Sequence, residues 1–106
     1  MALTVELIYN HDCPNADAAR EVLHNALSAA GLEPRWIEWD RGEANSPSYA
    51  RQYGSPTILV DKEDVSGEGG ESAANSCRVY RAPDGSLRGV PSIQSVLAAL
   101  MESDAG

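Results

Sequence analysis

Apolar side chains recur along the chain at two different periods, and these periods distinguish strands from helices. Residues 3–9 follow a period of two that is typical of a strand, with one apolar face of Leu3, Val5, Leu7 and Tyr9 and a second face of Thr4, Glu6 and Ile8. From Pro14 to Gly31 the apolar residues recur at helical spacing, which predicts a helix with Pro14 at its first position and Gly31 just past its end. A last amphipathic helix is predicted after Ser92, which is expected to cap it.

Shorter segments complete the predicted order of elements. Residues 34–40 contain two tryptophans and an isoleucine and are predicted as a strand. Residues 46–54 are predicted as a short helix with Ser46 as its cap and Pro47 at its first position. The apolar run at 57–60 predicts a central strand, and residues 77–81 a fourth strand antiparallel to it. This order predicts an α/β fold, with a mixed sheet of about four strands flanked by helices and a parallel first pair.

The length of 106 residues is typical of one domain, which we place at 1–106. Residues 61–76 are acidic, small and rich in glycine, so a flexible exposed loop is predicted there, and residues 103–106 are expected to fray. Sixteen acidic and eight basic residues give a net charge of −8. This charge repels phosphate backbones and anionic lipids, which argues against nucleic acids and membranes as partners.

Two observations predict a reduced, cytoplasmic protein. The first residues have neither a basic region nor a long apolar region of the kind that directs export. The two cysteines are 64 positions apart (77 − 13), which does not resemble the framework of a disulfide-rich secreted domain.

Cys13 is the candidate nucleophile. It directly follows the first predicted strand, and Pro14 places it at the predicted start of a helix, where the partial positive charge favours a thiolate. Two neighbours are candidate modulators. The carboxylate of Asp12 opposes a negative sulfur, whereas a protonated His11 favours it.

The element order and two motifs resemble the thioredoxin-like superfamily. Cys13 and Pro14 stand at the corner between the first strand and helix, and "GSPT" at 54–57 matches the Gly-x-Pro-Thr segment of that superfamily. Pro56 follows Cys13 by 43 positions (56 − 13), and the ending "DGSLRGVPSIQSVLAALME" is also similar, so the resemblance covers nearly the whole chain. It implies a thioredoxin-like fold in which a cis bond before Pro56 lets this proline pack against the active-site cysteine.

The second cysteine of the superfamily's C-x-x-C motif is absent, because the motif here is Cys13-Pro14-Asn15-Ala16. A second thiol must therefore come from Cys77, from a small thiol such as glutathione or from a partner protein. The predicted strands separate Cys77 from Cys13 by roughly 10 Å or more, beyond the ~7 Å between Cα atoms that a disulfide allows. Cys77 is thus predicted to be a buried structural residue.

Three functions remain open. The first is thiol–disulfide exchange or mixed-disulfide formation by Cys13, with a substrate held by four residues that the resemblance implies: Pro14, Ser55, Pro56 and Thr57. The second is binding of a soft metal, mercury or copper(I), through Cys13 together with His11. The third is a redox-inactive adaptor that retains the fold, which Ala16 favours.

No cofactor and no resident metal are expected. The acidic loop lacks the ligand spacing and the glycine of an EF-hand, so a solvated loop is predicted instead of a calcium site. The expected partner is a small thiol or another protein.

Overall fold

The computed structural model of the chain describes residues 3–66, 80–81, 84–85 and 87–105. Cys77, residues 67–76 of the predicted loop and the first part of the predicted fourth strand lie outside these ranges.

The centre of the fold is a mixed sheet of four strands in the order β2-β1-β3-β4. These strands are β1 (Val5–Tyr9), β2 (Ile37–Asp40), β3 (Thr57–Val60) and β4 (Glu63–Asp64). β1 pairs in parallel with β2 and antiparallel with β3, and β3 pairs antiparallel with β4. The structure confirms the α/β class, the parallel first pair and the internal position of β3.

Two helices, α1 (Ala16–Ala29) and α2 (Ile93–Ala105), bury their apolar residues against one face of this sheet. Ser92 caps α2 as predicted, since its Oγ accepts the amide of Ser95 at 3.1 Å. α2 continues to Ala105, so most of the tail that was predicted to fray is helical. The shared core comprises Val5, Leu7, Ala19, Leu23, Ala26, Leu27, Ile58, Val60, Val96 and Leu100.

The end of α1 follows the prediction and its start does not. Gly31 has a φ of +77°, its amide donates to Ser28 O at 3.1 Å, and the amide of Leu32 donates to Leu27 O at 2.9 Å. This pair of bonds is a Schellman motif, which needs the left-handed conformation that glycine adopts without strain. The first helical residue is Ala16 rather than Pro14.

The predicted helix at 46–54 is a 3₁₀ helix of five residues, Ser48–Gln52. The hydroxyl of Ser46 donates to Asp40 O at 2.6 Å, so it does not cap this helix. Pro47 precedes the helix in an extended conformation, with a ψ of 153°, and therefore does not occupy its first turn.

The strand that follows β3 also differs from the prediction. Asp61 and Lys62 have φ values of +50° and +71°, so the chain reverses within two residues, and β4 takes the edge of β3. Part of the predicted loop is therefore a strand. The described end of the predicted fourth strand is β5 (Tyr80–Arg81), which pairs with β6 (Leu87–Arg88) in a separate sheet. The distance predicted between Cys77 and Cys13 assumed that the strand at 77–81 pairs with β3. Because β5 pairs with β6 instead, that prediction has no basis.

The second face of the sheet contains a buried carboxylate. Glu6 is 1% exposed and lies on the same face of β1 as Ile8. Its carboxylate accepts hydrogen bonds from Trp39 Nε1 at 2.7 Å and from the hydroxyl of Tyr49, and Lys62 Nζ lies 3.3 Å away. A buried charge is tolerated only with such partners. Glu6 thus joins β2, the 3₁₀ helix and the β3–β4 turn.

An exposed ion pair connects α1 to the edge strand β2. The guanidinium of Arg20 donates to both carboxylate oxygens of Glu38, at 2.8 and 3.0 Å, and Trp36 Nε1 donates to the same carboxylate at 2.9 Å. The hydrogen bond from Arg20 lowers the pKa of Glu38 below its ordinary value. Trp36 packs against the helix-covered face, whereas Trp39 packs on the other face.

We expect Glu6→Ala to lower the free energy of unfolding by about 2–4 kcal/mol, because the Trp39 and Tyr49 donors lose their acceptor. Urea unfolding measures the change. Glu33→Ala is the matched control, since Glu33 is 79% exposed and should change stability by less than about 0.5 kcal/mol. Equal effects of the two variants would contradict the structural role of Glu6.

We also expect Glu38→Gln to destabilise the protein in a pH-dependent way. Arg20 lowers the pKa of Glu38 in the folded state below 4.5, so the stabilisation is present above pH 4.5 and is lost as the pH falls through the folded-state value. Urea unfolding in steps downward from neutral pH should show the difference from wild type shrinking. For the exposed Glu21→Gln on α1, the difference from wild type should stay small throughout.

Candidate functional site

Cys13 is the corner residue shared by two consecutive β-turns between β1 and α1. Its amide donates to Asn10 O at 2.9 Å, and its carbonyl accepts the amide of Ala16 at 3.3 Å. Pro14 and Asn15 form the middle of the second turn, and Asn15 has φ −96° and ψ 0°, as in a type I turn. Proline is favoured at the second position of a type I turn, which is the position that Pro14 occupies. The turn therefore comes first, and α1 begins only after it, at Ala16.

This arrangement corrects the predicted position of the thiol. Cys13 lies three residues before the first helical residue, so it is not part of the first helical turn, which the prediction required. Both backbone hydrogen-bonding groups of Cys13 are used by the turns. The residue is 9% exposed, and Ala16 is 7% exposed.

The bond between Ser55 and Pro56 is cis, as predicted. Ser55 and Thr57 are fully buried, and Thr57 Oγ1 donates to Gly54 O at 2.7 Å. The carbonyl of Pro56 accepts a hydrogen bond from the hydroxyl of Tyr80. The hydroxyl of Thr57 and the carbonyls of Gly54 and Pro56 are therefore occupied by hydrogen bonds within the protein. A substrate would have to bind to other backbone atoms of this segment.

Asn10 connects the two motifs that the sequence places 43 positions apart. Its amide donates to Ser55 Oγ at 2.9 Å, and its carbonyl accepts the amide of Cys13 at 2.9 Å. Arg41 Nη1 donates to the side-chain oxygen of Asn10 at 3.1 Å. The Cys13 turn and the cis-proline segment are therefore joined by two hydrogen bonds in series.

Sequence reasoning missed Asn10, although a signal for it exists. Asparagine is one of the residues favoured in β-turns, and Asn10 directly follows the last residue of β1. What the sequence does not contain is the partner, because Ser55 reaches Asn10 only through the pairing of β1 with β3.

The predicted modulators occupy the first turn. His11 and Asp12 are its two middle residues, and both are exposed. The imidazole of His11 is 78% exposed, with Nδ1 at 3.9 Å from a carboxylate oxygen of Asp40, at the end of β2. No motif in the sequence indicates this contact. The influence of His11 and Asp12 on the thiol remains a prediction.

Within the described ranges, no group of three or more histidine, cysteine, aspartate and glutamate side chains is arranged to hold a metal ion. In the same part of the chain, no helix has the length and apolar character needed to cross a membrane. Comparisons with protein-family models, curated proteins and solved structures returned no match.

We expect Ser55→Ala to destabilise the protein by about 1–3 kcal/mol, since the partly buried amide of Asn10 loses its acceptor. Faster hydrogen exchange of the Asn10 amide should accompany this loss. Ser28→Ala, an exposed position on α1, serves as the control and should leave both quantities unchanged. An unchanged exchange rate in Ser55→Ala would contradict the connection between the two motifs.

Proposed function

We propose that the chain is a thioredoxin-like thiol protein in which Cys13 forms mixed disulfides. One observation carries the proposal. Cys13, at a corner between β1 and α1, is tied through Asn10 to Ser55, which precedes the cis-proline Pro56. The sequence resemblance predicts such a neighbourhood of cysteine and cis-proline, and the described hydrogen bonds are consistent with it.

The proposed chemistry is thiol–disulfide exchange. The thiolate of Cys13 attacks one sulfur of a disulfide, a bond forms between the two sulfurs, and the other sulfur leaves as a thiolate that takes up the proton lost by Cys13. A second thiolate then attacks the mixed disulfide and restores Cys13. No net electron transfer to the protein occurs over the two steps, because one disulfide is consumed and one is formed.

The second thiolate must come from outside the CPNA motif, because Ala16 occupies the position of the missing cysteine. We therefore propose a small thiol, such as glutathione, or a partner protein as the reaction partner. An extended partner segment would lie along the backbone beside Ser55 and Pro56, by pairing as an added strand.

A second candidate, the redox-inactive adaptor, is favoured by burial. Cys13 and Ala16 are 9% and 7% exposed, so neither offers much surface to a reagent. Reactive cysteines lie in partly exposed surroundings, whereas buried ones are usually inert. The two candidates differ in whether the Cys13 sulfur exchanges with a disulfide in solution.

We expect oxidised glutathione to form one mixed disulfide on Cys13 at neutral pH, detected as an adduct by intact-protein mass spectrometry. The experiment uses Cys77→Ser, so that Cys13 is the single thiol. Addition of reduced glutathione should remove the adduct, since exchange is reversible.

Cys13→Ser in the same background is the control and should show no adduct. If folded Cys77→Ser forms no adduct but does so after urea unfolding, the thiol is blocked by the fold, and the adaptor replaces the proposed function.

A further inference from the structure

The β5–β6 hairpin contacts both halves of the site. On one side, Tyr80 of β5 is 3% exposed, and its hydroxyl donates to the carbonyl of Pro56. On the other side, Gly89 directly follows β6 and lies against the side chain of Asn15, in the second turn of Cys13. The pairing of Tyr80 with Arg88 fixes these two contacts relative to one another.

Gly89 approaches the Asn15 side chain closely, and its backbone conformation is not left-handed. A Cβ atom built on Gly89 would lie 2.6 Å from Cγ and 2.9 Å from Oδ1 of Asn15, closer than real Cβ contacts. The left-handed glycines of the described chain are Gly31 and Gly85, and Gly89 is not among them. The carboxamide of Asn15 thus fills the space that a side chain at position 89 would need.

The carboxamide of Asn15 is not used to cap α1. Asn15 is the N-cap residue, and its backbone carbonyl accepts the amide of Ala19 at 3.0 Å, but its side chain makes no capping hydrogen bond. Asparagine is one of the best capping residues, so its side chain here gives up that common role. The side chain of Asn15, which lies two residues after Cys13 in the chain, instead packs against Gly89.

We propose that Asn15 is a positioning residue, held by Gly89, through which the β5–β6 hairpin fixes the Cys13 turn. This inference rests on the proposed function, since it assigns a way of controlling the same thiol. A side chain at position 89 displaces the Asn15 carboxamide, and the turn from Cys13 to Ala16 moves with it. Cys13, which is 9% exposed, then becomes more accessible.

The test measures the rate of alkylation of Cys13 by iodoacetamide over a range of pH, with Cys77→Ser as the parent. Gly89→Ala should raise the rate by roughly threefold or more, because thiol reactivity depends on access. Asn15→Ala should raise it similarly, since it removes the same contact without adding an atom. The double variant should then match Asn15→Ala alone, because coupled substitutions are not additive.

Gly31→Ala is the matched control for stability. It introduces the same methyl group at a position with φ +77° and nothing within 4 Å, so it strains the chain at the far end of α1. The alkylation rate of Cys13 in Gly31→Ala should stay within about twofold of the parent, because the strain at the end of α1 does not change the conformation of the Cys13 turn.

Two results would overturn the inference: a rate for Gly89→Ala within about twofold of the parent, or effects of the single variants that multiply in the double variant. If Gly89→Ala does not fold, Asn15→Ala alone decides, and an unchanged rate then overturns the inference. Alkylation requires only an accessible thiol. A failure of glutathione exchange with intact coupling between positions 15 and 89 would therefore reject the proposed function and retain the positioning role.

Discussion

The antiparallel pairing of β1 with β3 is the constraint on which the site depends. It places Ile8 opposite Thr57, so the chain leaves β1 beside the point where it enters β3. Residues that follow Ile8 are then neighbours of residues that precede Thr57, which is how the amide of Asn10 meets Ser55. Both strands are almost fully buried, and a shift of register by one residue would turn Glu6 of β1 toward the apolar face that the helices cover. The core that stabilises the sheet thereby also determines what lies next to Cys13.

The two faces of the sheet are stabilised in different ways. One face is covered by α1 and α2 through an apolar core, which is non-directional and tolerates small adjustments. The other face is organised around Glu6, whose carboxylate requires donors at defined positions from three separate segments. This directional requirement fixes the 3₁₀ helix over the sheet, and that helix leads within a few residues to the cis-proline segment. The contacts of Glu6 thus restrain the segment that leads to Pro56, and the apolar core restrains α1, which follows the Cys13 turn.

The pattern of apolar residues predicted the elements that form the core of the fold. The first strand, α1 from Ala16 and α2 follow from the spacing of their apolar residues. The central strand follows from its continuous apolar run, which is typical of a strand buried on both faces. The misplaced elements depend on local geometry or distant partners. Pro14 was placed inside the helix because proline suits both a helix start and a turn. β4 was missed because Asp61 and Lys62 are not the residues that usually mark a two-residue hairpin. At the site, Cys13 and Pro56 were predictable from motifs, whereas Asn10, Asp40 and Gly89 owe their positions to tertiary contacts.

Lys62 illustrates how one position can serve two opposed demands. Its backbone adopts a φ of +71°, a conformation that costs glycine or asparagine less energy than lysine. Its ammonium group, however, is the cation that faces the buried carboxylate of Glu6. Replacement by glycine would relieve the backbone and leave that carboxylate without a counter-charge, while any other long cation would keep the strain. Natural variation at this position should therefore be narrow, and exchanges at positions 6 and 62 should occur together rather than singly.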